Sequence, residues 1–390
     1  MRTLSRKMGY IGGTIGWPVI AMVRACAQIR QHGAGAKRLV GRPIWKQWLE
    51  QWWLALWLGL PPHVYYMYEI YRPERRRLAT EFLRNQEVTP LAILVSGEET
   101  ATAQQILRDK CRFAEHCKAH GLATAKTLAV FDQGEAVEGH IRSAAEMPAT
   151  DLFAKPLDGN YGRGLHKWAN VGPNRYRNAA GEDSTVDQVW QTLAACSQQR
   201  PYLLQESLVN HPSLRVFGDG ALCTARIVTA CTKDGDCVYV VGVFRMPRTS
   251  LVADNFQQGG LATVVDETSG RLSTAAGKDA SIGRFTHHPV TGAPIEGAQL
   301  PDWEQAKALC LASHQTFGDI GWVGWDVAFT DRGPVLVEGN FAPSIESIQR
   351  ASGAPFAGSN LYSICLERLE RKGYKFSRDD APVDVLPLTR

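Results

Sequence analysis

Several features that would quickly narrow the function of this 390-residue chain are missing from its sequence. The nine cysteines form no Cys-x-x-Cys pair and no regular framework, which argues for reduced thiols and against disulfides or zinc. The uncharged stretch 10–23 is too short to span a bilayer and lacks the cleavage site of a signal peptide. A net charge of +4 is too small to indicate a nucleic acid partner. These absences favour a cytoplasmic protein.

Two familiar phosphate-binding sequences, the Walker motif and the dinucleotide Gly-x-Gly-x-x-Gly, are also absent. The chain instead carries a short apolar run that ends at Lys155, followed by a loop containing Gly159, Gly162 and Gly164. Such a loop can bend over a ligand and offer backbone N–H groups to phosphate oxygens, and Lys155 adds a compact positive charge. Taken alone, a loop of this kind is more often a surface hairpin.

Acidic residues are absent from residues 1–46, which are rich in lysine and arginine, and more than half of the tryptophans lie at or before residue 57. Tryptophan-rich apolar surface flanked by basic residues is typical of segments that lie on a membrane. The same pattern also suits core helices with a solvated basic face. Residues 1–90 are therefore interpreted as a basic, mainly helical N-terminal region, with peripheral membrane contact through residues 1–60 left open.

A hairpin near the C-terminus carries clustered polar residues. Two apolar runs, 323–329 and 334–337, flank a turn; Asp326 lies in the first run, and Glu338 and Asn340 end the second. A hairpin of this length brings the three side chains together. Hard oxygen ligands of this kind suit Mg²⁺. The alternative is a polar hairpin at the rim of a sheet.

The periodicity of the remaining sequence predicts a mixture of helices and strands. Predicted helices cover residues 65–85, 100–120, 186–198, 301–318 and 358–373, and predicted strands cover 91–96, 224–230, 237–245 and 261–265. The extended tail is predicted to follow residue 376.

Taken in order, the motifs resemble those of the ATP-grasp superfamily between about residues 105 and 350. The resemblance rests on Asp109-Lys110, the Lys155 run with its glycine loop, Gln205-Glu206-Ser-Leu208, the strand around Arg226, Asn255-x3-Gly-Gly, and the hairpin from Asp326 to Asn340. The sugar-transfer-associated group is most similar, and the ribosomal-protein glutamate ligases are more distant. The resemblance implies an α+β ATP-grasp fold, with N-terminal and central subdomains in 91–205, a C-terminal subdomain in 206–376 and a tail in 377–390.

The resemblance also implies roles for individual residues. ATP, with one or two Mg²⁺ or alternatively Mn²⁺, would lie between the subdomains, and the metal would be held by Asp326, Glu338 and Asn340. Lys155, Arg226 and Arg245 would act at the reacting phosphoryl group. The remaining residues assigned to ATP are Lys110, Gly159, Gly162, Gly164, Gln205, Glu206, Leu208, His211 and Asn255.

Alternatives remain for several of these residues. Arg226 and Arg245 lie in apolar strands, where a guanidinium group must be paired, so each either faces the reaction centre or forms a salt bridge with a core carboxylate. Glu206 is otherwise a carboxylate on an edge strand, Lys110 a solvated helix start, and His211 a structural histidine.

The implied activity is an ATP-dependent ligase that joins a carboxylate to an amine, or to a thiol, through an acyl phosphate. A cell-surface polysaccharide precursor is the expected type of substrate. The alternatives are an ATP-grasp phosphotransferase and a membrane-associated nucleotide-binding protein without turnover. The sequence leaves the oligomeric state open.

Overall fold

The computed structural model describes residues 17–97, 100–157, 164–218, 220–248, 256 and 259–374. Within these ranges, helices precede the first strand, as the sequence predicts. They are α1 (17–28), continued by a π-helical turn Ile29–Gly33, then α2 (Ala34–Val40), α3 (Ile44–Trp57), α4 (Pro62–Met67), α5 (Pro73–Arg76), α6 (Asn85–Val95), α7 (Thr100–Arg108) and α8 (Lys110–Ala119). No helix in the described ranges combines the length and the apolar character needed to cross a membrane.

Two predictions for this region are wrong. Residues 91–96, predicted as a strand, belong mostly to α6, whose buried residues Val88, Ala92 and Val95 follow helical spacing. The apolar run was too short to distinguish a strand from a buried helix end. The single helix predicted over 65–85 is broken, because Pro73 starts α5 and holds Arg72 in an extended conformation.

The first sheet has seven strands and packs against one helix. In chain order its strands are β1 (Thr127–Asp132), β2 (Glu135–Gly139), β3 (Leu152–Pro156), β4 (His166–Gly172), β5 (Arg175–Asn178), β6 (Asp183–Thr185) and β7 (Tyr202–Glu206). In space they are ordered β2-β1-β7-β3-β4-β5-β6. The helix α9 (Val186–Ser197), which the sequence predicts, begins with a capping box at Thr185 and Gln188 and buries Val189 and Leu193 against the sheet.

The second sheet also has seven strands, ordered β12-β11-β10-β9-β8-β13-β14. They are β8 (Thr224–Cys231), β9 (Cys237–Met246), β10 (Leu261–Val265), β11 (Ala275–Gly277), β12 (Arg284–Phe285), β13 (Trp322–Thr330) and β14 (Gly333–Asn340). The helices α10 (Trp303–Gln315), α11 (Glu346–Ser352) and α12 (Asn360–Arg371) complete this half of the chain. The predicted helices at 301–318 and 358–373 and the predicted strands at 224–230, 237–245 and 261–265 are confirmed.

The largest hydrophobic core lies around the second sheet and explains why the strand β13 can be predicted from the sequence. All nine residues of β13 are buried. Side chains alternate across a strand, so Trp325 packs among His314 and Phe317 while Asp326 faces the other side of the sheet. The core therefore fixes the register that places Asp326 in the candidate site.

Candidate active site

The hairpin of β13 and β14 brings the predicted metal ligands together. Asp326 is paired in register with Glu338, and Gly324 with Asn340. The Asn340 amide Nδ2 donates to Glu338 Oε1 at 3.2 Å. With its nitrogen used in this way, the Asn340 side chain has its oxygen left as a ligand. Two carboxylates and an amide oxygen form a set of hard donors that fits Mg²⁺.

Asp326 is also the centre of a buried ion-pair cluster. Arg226, its register partner on β8, donates through Nη2 to Asp326 Oδ2 at 2.9 Å and through Nε to Oδ1. Arg245 Nη2 lies 3.0 Å from the same Oδ2. Burial alone would raise the pKa of Asp326, but the two guanidinium groups outweigh it and hold the pKa well below its usual range. Asp326 therefore stays ionised.

The structure combines the two alternatives that the sequence left open for Arg226 and Arg245. Each forms a salt bridge with a core carboxylate, but that carboxylate is the predicted metal ligand itself. The Arg245 side chain also donates to Thr224 Oγ1 at 2.6 and 3.2 Å. Thr224 begins the strand that carries part of the resemblance, but no role at the site was predicted for it from the sequence. Its position two residues before Arg226, directly opposite Arg245, was the available signal.

Lys155, which belongs to the first sheet, interacts electrostatically with this cluster. It lies in β3, is 9% exposed, and has a pKa lowered to about 8 by burial. The charges of Glu338 and Asp326 oppose this shift, while the charge of Lys110 adds to it. Such effects need short separations, so the predicted phosphate-binding lysine and the predicted metal ligands belong to one electrostatic cluster. Residues 155 and 338, far apart in sequence and on different sheets, are therefore near enough for their charges to interact.

Lys110 starts the helix α8 after Asp109, whose carboxylate caps the helix by accepting from the backbone N–H groups of Cys111 and Arg112. The Lys110 ammonium donates to the carbonyl oxygen of Leu157 at 2.6 Å. Leu157 immediately follows β3. Lys110 therefore contacts the start of the glycine-containing loop, which suits the phosphate role better than a solvated helix start.

Part of that loop lies outside the described residues, as do Gly159, Gly162 and Asn255. Gly164 is described, with φ +71°, and a Cβ there would lie 2.8 Å from both Arg200 Nη2 and the Tyr202 hydroxyl. The left-handed backbone and the close approach both require glycine.

Gln205 and Glu206, which the resemblance assigns to ATP, end β7, and Leu208 follows it. Glu206 pairs with Lys126, at 3.0 Å between Oε1 and Nζ, and their backbones are also hydrogen-bonded. Gln205 is buried, with Nε2 3.5 Å from the carbonyl oxygen of Ala125, and Leu208 is half-buried. Lys126 is a second residue absent from the sequence motifs, and its signal is no more than a position just before β1. The segment thus places a carboxylate, paired with Lys126, at the end of β7.

His211 is used locally. Its ring Nδ1 lies 2.8 Å from Ser213 Oγ, and its backbone N–H donates to the Phe329 carbonyl oxygen at 2.7 Å. These contacts start a short 3₁₀ turn, Pro212–Phe217, and tie it to β13. The contacts of His211 favour the structural alternative, and contact with ATP remains a prediction.

Comparison with known proteins gives one family match and several distant relatives. The profile of the family described as sugar-transfer associated ATP-grasp matches residues 98–364. A protein of Parasynechococcus marenigrum described as "Probable alpha-L-glutamate ligase" is 24% identical over 135 residues, which are 34% of this chain and 27% of that protein. The chain thus matches about a quarter of that relative's length.

Solved structures similar to the chain include two ligases. D-alanine–D-alanine ligase from Bacillus anthracis is 12% identical, covers 68% of each chain and has a TM-score of 0.38. L-amino acid ligase from Bacillus licheniformis is 10% identical, with 69% of this chain and 49% of that chain covered and a TM-score of 0.39.

Proposed function

Because the chain belongs to the sugar-transfer-associated ATP-grasp family, we propose that it is an ATP-dependent ligase that activates a carboxylate as an acyl phosphate and transfers the acyl group to an amine. The observation that carries the proposal is the single cluster formed by Lys155, Glu338, Asp326, Arg226 and Arg245. It combines a buried cation from one sheet with carboxylates and guanidinium groups from the other. That combination suits a phosphoryl group held between the sheets.

The first step would be attack by an oxygen of the substrate carboxylate on the γ-phosphorus of ATP. The new P–O bond forms as the bond to the β-phosphate oxygen breaks, and ADP leaves. Lys155 would bind phosphate oxygens, and Arg226 and Arg245 would stabilise negative charge on the transferring group. Mg²⁺ held by Glu338, Asn340 and Asp326 would neutralise phosphate charge.

In the second step the amine would attack the carbonyl carbon, and the C–O bond to phosphate would break. Inorganic phosphate leaves, and the amine proton passes to phosphate or solvent. Positioning and electrostatic stabilisation suffice for both steps, and neither needs a covalent bond to the protein. A thiol acceptor would follow the same path, and Mn²⁺ could replace Mg²⁺ at the same oxygen ligands.

Isotope transfer separates this proposal from phosphotransfer. In the ligase reaction, one oxygen of an ¹⁸O-labelled carboxylate ends in the released phosphate. We expect a screen of labelled sugar acids and amino acids with amine acceptors to yield ¹⁸O-phosphate. Phosphate kept on an acceptor hydroxyl or amine would identify a phosphotransferase, and nucleotide binding with no turnover would favour a binding protein. Sugar acids come first because the family is described as sugar-transfer associated.

We further propose that the ligase works in the cytoplasm, in peripheral contact with an anionic membrane. Several apolar side chains of α1 and α3 are exposed, including Val23 at 64% and Trp45 at 60%. An open groove of about 890 Å³ lies beside them, with Arg30 and Lys37 among its lining residues. Apolar side chains bordered by basic ones favour adsorption to anionic lipid.

Co-sedimentation with lipid vesicles tests the membrane contact. We expect binding to vesicles that contain phosphatidylglycerol and little binding to phosphatidylcholine alone. The double substitution Val23→Ser and Trp45→Ser should abolish it. Val290→Ser, at an equally exposed valine in the second half of the chain, is the matched control. Equal sedimentation of the double variant and the wild type would refute the contact.

A further inference from the structure

A pair of cysteines lies at the far end of the second sheet, away from the candidate active site. Cys231 ends β8, Cys237 begins β9, and the two are directly paired, with sulfur atoms 3.4 Å apart. The Cys231 N–H donates to Gly321 on the other side of the strand, whereas the Thr232 N–H donates to Asp236 across the hairpin. Cys231 and Cys237 therefore occupy a non-hydrogen-bonded position.

That position suits a covalent link between the strands. In non-hydrogen-bonded pairs the opposing Cα atoms are about 4.5 Å apart and the side chains approach closely. Disulfides form at Cα separations of about 4.4–6.8 Å. The backbone can thus hold the link without rearranging.

A third residue, His314, completes a group whose ligand atoms lie within 4.8 Å of one another, so a metal ion must be considered. The histidine hydrogen bonds argue against it. Thr229 Oγ1 accepts from the indole N–H of Trp325 at 2.8 Å and donates its own proton to His314 Nδ1 at 2.7 Å. The Ile320 carbonyl oxygen, 3.0 Å from His314 Nε2, can only accept, so Nε2 carries the proton of a neutral ring and Nδ1 is the acceptor that Thr229 requires. Neither nitrogen has a lone pair left for a metal.

The two sulfurs are not equivalent. Cys231 is buried and Cys237 is half-buried. A hydrogen bond from Cys231 lowers the pKa of Cys237 against the effect of burial; Arg368 lowers it further, and Asp236 and Asp319 raise it. The same hydrogen bond, together with burial, raises the pKa of Cys231. Cys237 is thus the more accessible and more nucleophilic thiol.

We propose that Cys231 and Cys237 form a reversible redox pair that peroxides oxidise to a disulfide. The Cys237 thiolate attacks one peroxide oxygen, the O–O bond breaks, and Cys237 becomes a sulfenic acid. The Cys231 thiol then attacks this sulfur, the S–S bond forms, and water leaves. In total, two thiols and one hydrogen peroxide give one disulfide and two waters. A dithiol reductant reverses the change.

This site goes beyond the proposed ligase function. Cys231 is five residues from Arg226 along β8, roughly 17 Å at the usual rise per residue. Oxidation therefore leaves the ATP cluster intact. The disulfide would link β8 and β9 at this end of the hairpin. The helix α12 is attached at the same end, since Arg368 donates to the carbonyl oxygens of Cys231 and Thr232 at 3.3 and 3.0 Å.

Mass spectrometry of the full-length protein tests the pair. The reduced protein, freed of reductant, is treated with limiting hydrogen peroxide and measured intact under denaturing conditions. We expect a loss of two hydrogen masses that dithiothreitol reverses, and a non-reduced digest in which the peptides of Cys231 and Cys237 are joined. Cys310→Ser, which removes a buried cysteine elsewhere, should behave like the wild type.

Two single variants, Cys231→Ala and Cys237→Ala, should each abolish the loss of two hydrogen masses. Thermal melts would be used to check that both variants are folded. With Cys231 replaced, Cys237 should instead gain oxygen atoms, because no thiol is left to resolve the sulfenic acid. Oxidation that joins other cysteines, or leaves these two as thiols, would overturn the proposal. So would a zinc ion retained in native mass spectra by the wild type and lost from both variants.

Discussion

Asp326 pairs with two arginines and is also a predicted metal ligand. Its oxygens hold Arg226 and Arg245, and its register partner is the predicted metal ligand Glu338. A buried ion pair contributes little net stability when intact, but removing one partner leaves an uncompensated charge. The structural and chemical contributions of Asp326 and Glu338 can therefore be separated by substitution.

The first prediction concerns that separation. Asp326→Asn leaves two guanidinium groups without their carboxylate, so we expect a loss of about 3–5 kcal/mol in unfolding free energy as well as of ATP turnover. Glu338→Gln should abolish turnover with a much smaller effect on unfolding. Urea denaturation and a phosphate-release assay measure the two effects. Equal destabilisation by both variants would contradict this account of the cluster.

The second prediction concerns the lowered pKa of Lys155, about 8. Since folding depresses this pKa, the unfolded chain binds more protons between about pH 8 and 10.5, and Lys155 makes stability rise with pH in that window. Bound phosphates favour the charged form, so ATP binding near pH 9 should be accompanied by proton uptake. Calorimetry in buffers of different ionisation enthalpy measures that uptake.

Lys155→Arg is the control, because arginine remains charged at pH 9 and should bind ATP without taking up a proton. Proton uptake that persists in this variant would assign the titration to another group.

Among the helices and strands, the sequence predicted those that are defined by a local hydrophobic periodicity and by turn residues. The β13–β14 hairpin, β8, β9, β10 and the helices α9, α10 and α12 follow from periodicity and turn residues. Two predictions failed where the deciding information lay outside the run of residues considered: α6 begins well before residue 91, and Pro73 divides the region predicted as one helix. The pairing of Asp326 with both arginines could not be predicted from the sequence either, because it depends on the order of the strands in the sheet.

The third prediction tests how closely the elements pack around Arg226. A Cβ at Gly324 would lie 2.5 Å from Pro343 Cβ and 2.9 Å from Arg226 Cδ. We expect Gly324→Ala to displace Arg226, to reduce turnover, and to cost about 1–3 kcal/mol of stability through overpacking. Gly277→Ala, in the same sheet, is the matched control, since a Cβ there would lie 3.5 Å from its nearest neighbour, Ile282 Cδ1. Equal effects of the two substitutions, measured by urea unfolding, would refute this explanation.

At the scale of the whole molecule, the helical N-terminal region is joined to the second sheet through buried polar contacts. Gln349 of α11 accepts from the Leu83 N–H at 3.0 Å and donates to the Leu83 carbonyl oxygen at 2.8 Å and the Tyr68 hydroxyl at 3.1 Å. Nearby, Arg350 pairs with Glu69 at 3.4 Å. α11 begins six residues after the predicted metal ligand Asn340, so these contacts attach the N-terminal region to the segment that follows the β13–β14 hairpin.

The fourth prediction follows from this junction. Gln349→Leu leaves the Leu83 and Phe356 N–H groups without their side-chain acceptor, which should cost about 1–3 kcal/mol per unsatisfied group. We expect lower stability and faster proteolysis of the N-terminal region. Gln305→Leu, at an exposed position of α10, should have little effect. Unchanged proteolysis of Gln349→Leu would show that the junction is held by other contacts.

We propose that a single ATP site lies between Lys155 on the first sheet and Glu338 with Asp326 on the second. Titration calorimetry of ATP with and without Mg²⁺ tests it most directly. We expect Mg²⁺-dependent binding of ATP by the wild type, weaker binding by Lys155→Met, and loss of the Mg²⁺ dependence in Glu338→Gln. Glu304→Gln, at an exposed carboxylate of α10, should bind like the wild type. Unchanged, Mg²⁺-dependent ATP affinity in both Lys155→Met and Glu338→Gln would contradict it.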